Sequence, residues 1–309
     1  MSSSEQFARV GDIELCFETF GSAADAAVLL VMGLGAQMVL WDDDFCQGLA
    51  DHGLWVIRFD NRDIGRSTIL RDAPVPSSLQ LLRRDRRAAT YSLSDMAADA
   101  AGLLAQLKLD AAHLVGVSMG GMIAQLVAIE HPERALSLVG IMSTTGGRWV
   151  GQAHPALYPR LLRGSRPDRA GYVADFLTTY RAIGSKRYPP DPDRTRAIAE
   201  RCFDRGVHRA GAARQMAALV TAADRTERLK QLSLATTVIH GTADRLVMPS
   251  GGRATAAAIP GARLVMIPDM THGLPPSLWP QISDEILRTI DRSRQSATEE
   301  KHDGRPQPV

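Results

Sequence analysis

The chain is poor in the residues that would commit it to a disulfide scaffold or a metal site. Its three cysteines, Cys16, Cys46 and Cys202, are an odd number at wide spacing, which excludes a paired framework and matches no metal-ligand pattern. They read as buried or incidental thiols. An excess of charge of one sign is also missing: 36 Lys+Arg against 34 Asp+Glu leave a formal +2, too even for nucleic acid or an anionic membrane to be the main partner. The longest apolar stretch, Ala26 to Trp41, is too short and too broken by glycine to span a bilayer. Met1 to Gln6 carry neither a basic start nor an apolar run, so no secretory signal is recognised. The expectation is a soluble, cytoplasmic protein without stable membrane insertion. No phosphate loop, dinucleotide fingerprint or internal repeat occurs.

One basic cluster stands out, Arg83-Arg84-Asp85-Arg86-Arg87. It is expected to be a solvated loop between Pro74/Pro76 and the next helix, with contact to an anionic substrate or lipid headgroup as the sharper alternative.

What is present is a long alternation of apolar runs. Phe7 to Val10 and Ile13 to Phe20, around Gly11-Asp12, read as an opening hairpin. Strand-like runs follow at Ala27 to Met32, Leu54 to Phe59, His113 to Val117, Leu136 to Met142, Thr236 to Ile239 and Arg263 to Ile267. Helical runs lie between or after them at Val39 to Ala50, Ser94 to Leu107 with Ser94 as cap, Met119 to His131, Gly251 to Ile259 and Leu278 to Arg292. This alternation predicts an α/β fold, a mostly parallel sheet covered by helices on both faces. The core should comprise residues 1–146 and 229–294. From Gly147 to Arg228 the alternation stops, and helical stretches at Ala170 to Arg181, Pro192 to Asp204 and Ala210 to Ala222 predict a helical cap inserted between core strands. Trp149, Tyr158, Phe176, Tyr180, Phe203 and Met216 could line an apolar substrate pocket there, but most are expected to pack the cap onto the core. Residues 295–309 are polar and proline-bearing, and are expected to be disordered.

The most informative motif is Gly116-Val117-Ser118-Met119-Gly120, between a strand-like and a helix-like run. A serine turned sharply from strand to helix is held in strained dihedrals, so small residues are needed two positions before and after it. The Met119 amide then points to where an attacked carbonyl oxygen becomes negative, half of an oxyanion hole. A hydroxyl is a poor nucleophile near neutral pH, so a base and an acid that orients it are needed; a strand–serine–helix turn of this kind resembles an architecture in which they follow in the order Ser, acid, His. Asp244, in the loop after the run Thr236 to Ile239, is a suitable acid. His272, in Pro268-Asp269-Met270-Thr271-His272-Gly273, is the candidate base. His52, His113, His131 and His154 precede the acid or sit on helices and strand starts, His240 precedes the acid loop, His208 lies in the insertion and His302 in the tail. Asp269 is too near His272 in sequence to reach its outer nitrogen easily, and the loop after Leu136 to Met142 offers no carboxylate. The second oxyanion donor is expected from Gly33-Leu34-Gly35, as the amide of Leu34.

Ser118, Asp244 and His272, with the Gly33 loop, resemble the serine hydrolases of the α/β-hydrolase superfamily, over about residues 7 to 292. Met32 stands where many relatives have histidine, which leaves a backbone amide unaffected. Asp60-Asn61-Arg62-Asp63-Ile64-Gly65-Arg66-Ser67 and Gly211-Ala212-Ala213-Arg214-Gln215 are similar to the aclacinomycin methylesterase-like branch and its lipase and carboxylesterase neighbours. The Asp60 segment is expected to be a structural turn rather than a wall of the site. The resemblance implies hydrolysis of carboxylic esters through an acyl-enzyme, with no metal or organic cofactor; a small-molecule ester is the expected partner, apolar if the insertion's aromatic residues line its pocket. The same triad serves thioesters, lactones, C–C bonds or peracids, and a noncatalytic binding protein of this fold is the alternative from another class. The sequence leaves oligomeric state open.

Overall fold

A computed structural model describes residues 4–157 and 166–303. Tyr158 therefore lies outside the described residues. In β3 (Ala26–Val31), Val28 and Leu30 enter one apolar cluster while Leu29 and Val31 enter another, because successive side chains leave a strand on opposite faces. Helices close both clusters: α3 (Leu93–Gln106) and α4 (Met119–Glu130) on one face, α1 (Asp43–Ala50) and α10 (Trp279–Asp303) on the other.

The other strands are β1 (Gln6–Val10), β2 (Ile13–Phe20), β4 (Leu54–Phe59), β5 (Ala112–Val117), β6 (Ala135–Ile141), β7 (Thr236–Gly241) and β8 (Arg263–Ile267). They form one eight-stranded sheet in the order β1-β2-β4-β3-β5-β6-β7-β8. β1 and β2 make the expected hairpin, β2 pairs antiparallel with β4, and the remaining pairs are parallel. After β3 the chain builds outward on one side as β4, then returns to the other side as β5. The loops leaving the carboxyl ends of β3 and β5 thus emerge side by side at the switch point, where open α/β sheets bind their ligands.

Several boundaries differ from expectation for local reasons. The helix expected from Val39 is split: Met38–Leu40 is a 3-10 turn, and α1 starts only after Asp42, whose carboxylate accepts from the Asp44 amide. Ser92, not Ser94, caps α3, in a reciprocal capping box with Asp95. The Ser94 hydroxyl instead donates to Glu130 at 3.0 Å. Residues 295–303, expected to be disordered, continue α10, since Gln, Ala, Glu and Lys propagate a helix readily. The basic cluster is not a simple loop: α2 (Ser78–Leu82) precedes it and a 3-10 turn spans Arg86–Ala88. Its four arginines are exposed, as expected.

Between β6 and β7 lie α5 (Arg169–Ile183), α6 (Pro192–Arg205), α7 (Arg209–Thr221) and α8 (Thr226–Leu229); α9 (Ser250–Ala258) follows β7. Tyr172 contacts both Phe176 and Phe203, and Phe176 stacks on Tyr180 at 4.5 Å. These rings join α5 to α6. Trp149 is exposed, with the Arg148 guanidinium over its ring. All three cysteines are buried free thiols, and burial pushes each up to about 12. Among the described residues no helix is long and apolar enough to cross a membrane.

Candidate active site

Ser118 links β5 to α4 with φ 56° and ψ −120°, a conformation that costs energy for any residue with a side chain. Its backbone is held there by hydrogen bonds, the shortest of which are these. Its amide donates to Ile141 O at 2.9 Å, and its carbonyl accepts from the Gly121 amide at 3.0 Å and the Ser143 hydroxyl at 2.7 Å. The flanking glycines are required by contact: a Cβ on Gly116 would lie 2.2 Å from Gly120 O, and one on Gly120 would lie 2.1 Å from Val31 O.

Val31 pairs with Gly116 in the β3/β5 register, so two residues further along, Gly33 arrives beside Ser118. A Cβ on Gly33 would sit 3.2 Å from Ser118 Cβ and 3.7 Å from its Oγ. The Met119 amide, first in α4, is one of the donors a helix start leaves unpaired. Neither it nor the Leu34 amide donates to a described residue. Met32 is buried in the core rather than facing the loop.

β7 and β8 are also parallel neighbours, with Gly241 opposite Ile267, and their loops carry the acid and the imidazole. Asp244 Oδ1 accepts from the Leu246 and Val247 amides at 2.8 and 3.0 Å, while Oδ2 meets His272 Nδ1 at 2.7 Å. A carboxylate only accepts, so Nδ1 carries the hydrogen, and in the neutral imidazole Nε2 keeps its lone pair. Asp269 turns away to Arg187 at 3.3 Å. No hydrogen bond joins the Ser118 hydroxyl to His272 among the described contacts; in sites of this type that bond commonly closes only with substrate present.

His240, set aside from its position in the chain, supports the acid loop. Its Nε2 donates to Val247 O at 2.8 Å and lies 3.6 Å from Asp244 Oδ2. Burial pushes its pKa down, which keeps the ring neutral beneath the carboxylate.

The two sequence segments noted apart, Asp60 to Ser67 and Gly211 to Gln215, dock against each other. Arg214 makes a bidentate pair with Asp63 at 2.7 and 2.8 Å, both side chains buried. A Cβ on Gly211 would lie 2.0 Å from Asp63 O. Burial pushes Asp63 up, but the Arg214 fork and the Leu70 amide more than offset it and hold the carboxyl below its usual range. Asp60 accepts from the amides of Met38 and Arg66 and pairs with Arg205, and Ser67 donates to Asp60 O at 2.6 Å. The segment is thus the turn expected of it, with Asp63 and Gly65 at positive φ.

Gln215 has a place the sequence did not disclose. Fully buried, it accepts from the Gly35 amide at 2.9 Å and donates to Arg62 O at 2.8 Å. The loop carrying Leu34 is therefore pinned from α7, nearly two hundred residues away in sequence. Only the charge complementarity of Asp63 and Arg214 could have hinted at the pairing of these segments.

Residues 26–275 match the family described as alpha/beta hydrolase fold, and the chain belongs to that family. Among its relatives, rhodomycin D methylesterase DnrP of Streptomyces peucetius is 28% identical over 290 residues, 85% of this chain and 90% of that protein. A pimeloyl-[acyl-carrier protein] methyl ester esterase of Aeromonas salmonicida is 25% identical over 275 residues, 88% of this chain and 96% of that protein. An esterase structure from Rhodococcus sp. ECU1013 superposes with a TM-score of 0.71 at 21% identity, covering 94% of this chain and 99% of that one, which is a likeness of fold. The methylesterase branch expected from the sequence is thus represented among the relatives.

Proposed function

We propose that the protein hydrolyses carboxylic esters with Ser118 as nucleophile, His272 as general base and then acid, and Asp244 as the group that orients the imidazole. The observation that carries this is the 2.7 Å bond from His272 Nδ1 to a buried, doubly amide-held Asp244, which fixes the tautomer with the lone pair on Nε2. His272 Nε2 takes the Ser118 proton as Oγ attacks the ester carbonyl. The amides of Leu34 and Met119 donate to the oxyanion. As the intermediate collapses, His272 returns the proton to the leaving alkoxide, releasing the alcohol and leaving an ester on Ser118. Water, deprotonated by His272, attacks that ester; the acid departs and Ser118 recovers its proton. The helices between β6 and β7 act as the cap over the site. Two relatives that span most of the chain are named for methyl ester cleavage and a third as a putative carbamate hydrolase, so methyl esters are the first substrate class to try. A soluble, cytoplasmic setting fits the three free thiols.

A fluorophosphonate probe tests the mechanism. The expected result is one adduct, on Ser118, with hydrolysis of p-nitrophenyl and methyl esters lost in Ser118→Ala. Label elsewhere, or turnover retained in that variant, would overturn it.

A further inference from the structure

A cleft of about 640 Å³ reaches His272. One wall is the end of α5 and the turn after it, Arg181 to Arg187; the other is the acid and imidazole loops, with Arg245, Asp269 and His272. Among the described residues, Arg181, Lys186, Arg187 and Arg245 all face this space, against the single carboxylate of Asp269. The chain as a whole is almost charge-neutral, so composition does not account for the local excess. Nor are these cations used up by internal pairing. Arg181 and Lys186 make no ion pair with a described residue, the Arg245 guanidinium hydrogen-bonds among the described residues to the imidazole of His154 at 3.0 Å, and the Arg187–Asp269 pair is more than half exposed on both sides.

The cationic turn is also held in place relative to the imidazole. Buried Ser185 donates to Asp269 O at 2.7 Å, three residues before His272, and accepts from the amides of Arg187 and Tyr188, each at 3.1 Å. The turn and the His272 loop thus form one wall.

We propose that this cleft selects esters carrying an anionic group, a carboxylate or phosphate remote from the scissile carbonyl, which Arg181, Lys186, Arg187 and Arg245 attract and hold. This rests on the ester-hydrolase reading of the same site and replaces the apolar ester anticipated from sequence. Guanidinium forks match the oxygens of carboxylate and phosphate, and a cleft lined by one sign of charge raises the local concentration of a counter-charged substrate.

The test compares mono-p-nitrophenyl adipate with p-nitrophenyl hexanoate, equal in length and differing in the terminal carboxylate, after subtracting uncatalysed rates. The ratio of kcat/KM should favour the anionic ester by about tenfold at low ionic strength, mainly through KM, and shrink as salt is added. It should fall by a similar factor when Lys186→Glu and Arg187→Glu are combined. A ratio at or below one in the native protein, or one that the charge reversal leaves alone, overturns the proposal. A phosphonate-ended ester of the same length assigns the preferred anion: phosphate if it is the better substrate, carboxylate if the adipate is. Binding of the uncleavable adipic monoanilide and hexananilide separates this proposal from the hydrolase reading. Tighter binding of the anionic anilide without turnover of any ester would support the cleft and sink the hydrolase; turnover without any anionic preference would do the reverse.

Discussion

The two halves of the segment between β6 and β7 use arginine in opposite ways. In α6 and α7, Arg205 pairs with Asp60 and Arg214 with Asp63, all four side chains being nearly inaccessible. Gln215 and Gln37 add neutral bonds from Gly35 to α7 and to the carbonyls ending α6. At the end of α5 the arginines are exposed and face a cleft. A buried guanidinium must be matched by a carboxylate or carbonyl oxygens, since desolvating it alone is costly, and once matched it acts as a fixed joint. An exposed one keeps its hydration and its field, and remains available to a ligand. One half of the segment therefore fastens the Gly33–Gly35 loop, and the other leaves its cations open to the cleft.

The largest expected effect sharpens the first half. Arg214→Met leaves Asp63 buried and unpaired, and should destabilise the fold by roughly 3–5 kcal/mol in denaturant titrations at pH 7. Because Asp63 is held below the usual carboxylate range, the stability its pairing contributes is present above the unfolded pKa and lost as pH falls through the folded one. The Arg214→Met penalty should therefore be full at neutral pH and shrink below about pH 4. A constant penalty across that window would show that packing, not charge, is what Arg214 supplies.

A buried group with no counter-charge offers a control. Among the described residues the His113 ring in β5 hydrogen-bonds to Ser137 at 2.9 Å, and burial pushes its pKa from 6.5 down to about 4. Its folded form resists protonation, so stability is full above the unfolded value and is lost as pH falls from there toward the folded one. This loss should amount to roughly 3 kcal/mol. His113→Gln should flatten that part of the stability–pH curve; an unchanged curve would place the titration elsewhere.

Gln215→Met strips the Gly35 amide and Arg62 carbonyl of their partner, and should cost roughly 1–3 kcal/mol of stability. If the bond positions the Leu34 amide, kcat should also fall on the order of 10-fold with KM little changed. A loss confined to stability would reduce Gln215 to a packing residue. Least affected should be Arg187→Ala, whose exposed pair with Asp269 contributes little to folding. The unfolding midpoint should not move measurably; a large shift would erase the contrast between the two halves.

Much of this was legible in the residues. The strands were, because central parallel strands are near-continuous runs of β-branched and aliphatic residues, and the strand–Ser118–helix passage was, because only glycine fits at 116 and 120. Asp244 and His272 were proposed as acid and base from order and loop position, and the structure joins the two side chains by a hydrogen bond. Less legible were helix starts, where the cap depends on which of two nearby serines or aspartates reaches an amide. The end of α10 was missed because polarity was read as disorder where helix propensity persists.

The sequence by itself determined the alternating core, the strained serine and the identity of its two candidate partners, since each follows from local periodicity or from an excluded side chain. Only the tertiary structure decided that Gly33 lies beside Ser118, that Gln215 pins the Gly35 amide, and that four cations share one cleft with His272. Those contacts join residues far apart in the chain, brought together by strand order, register and the docking of α5 to α7, and no local pattern records them.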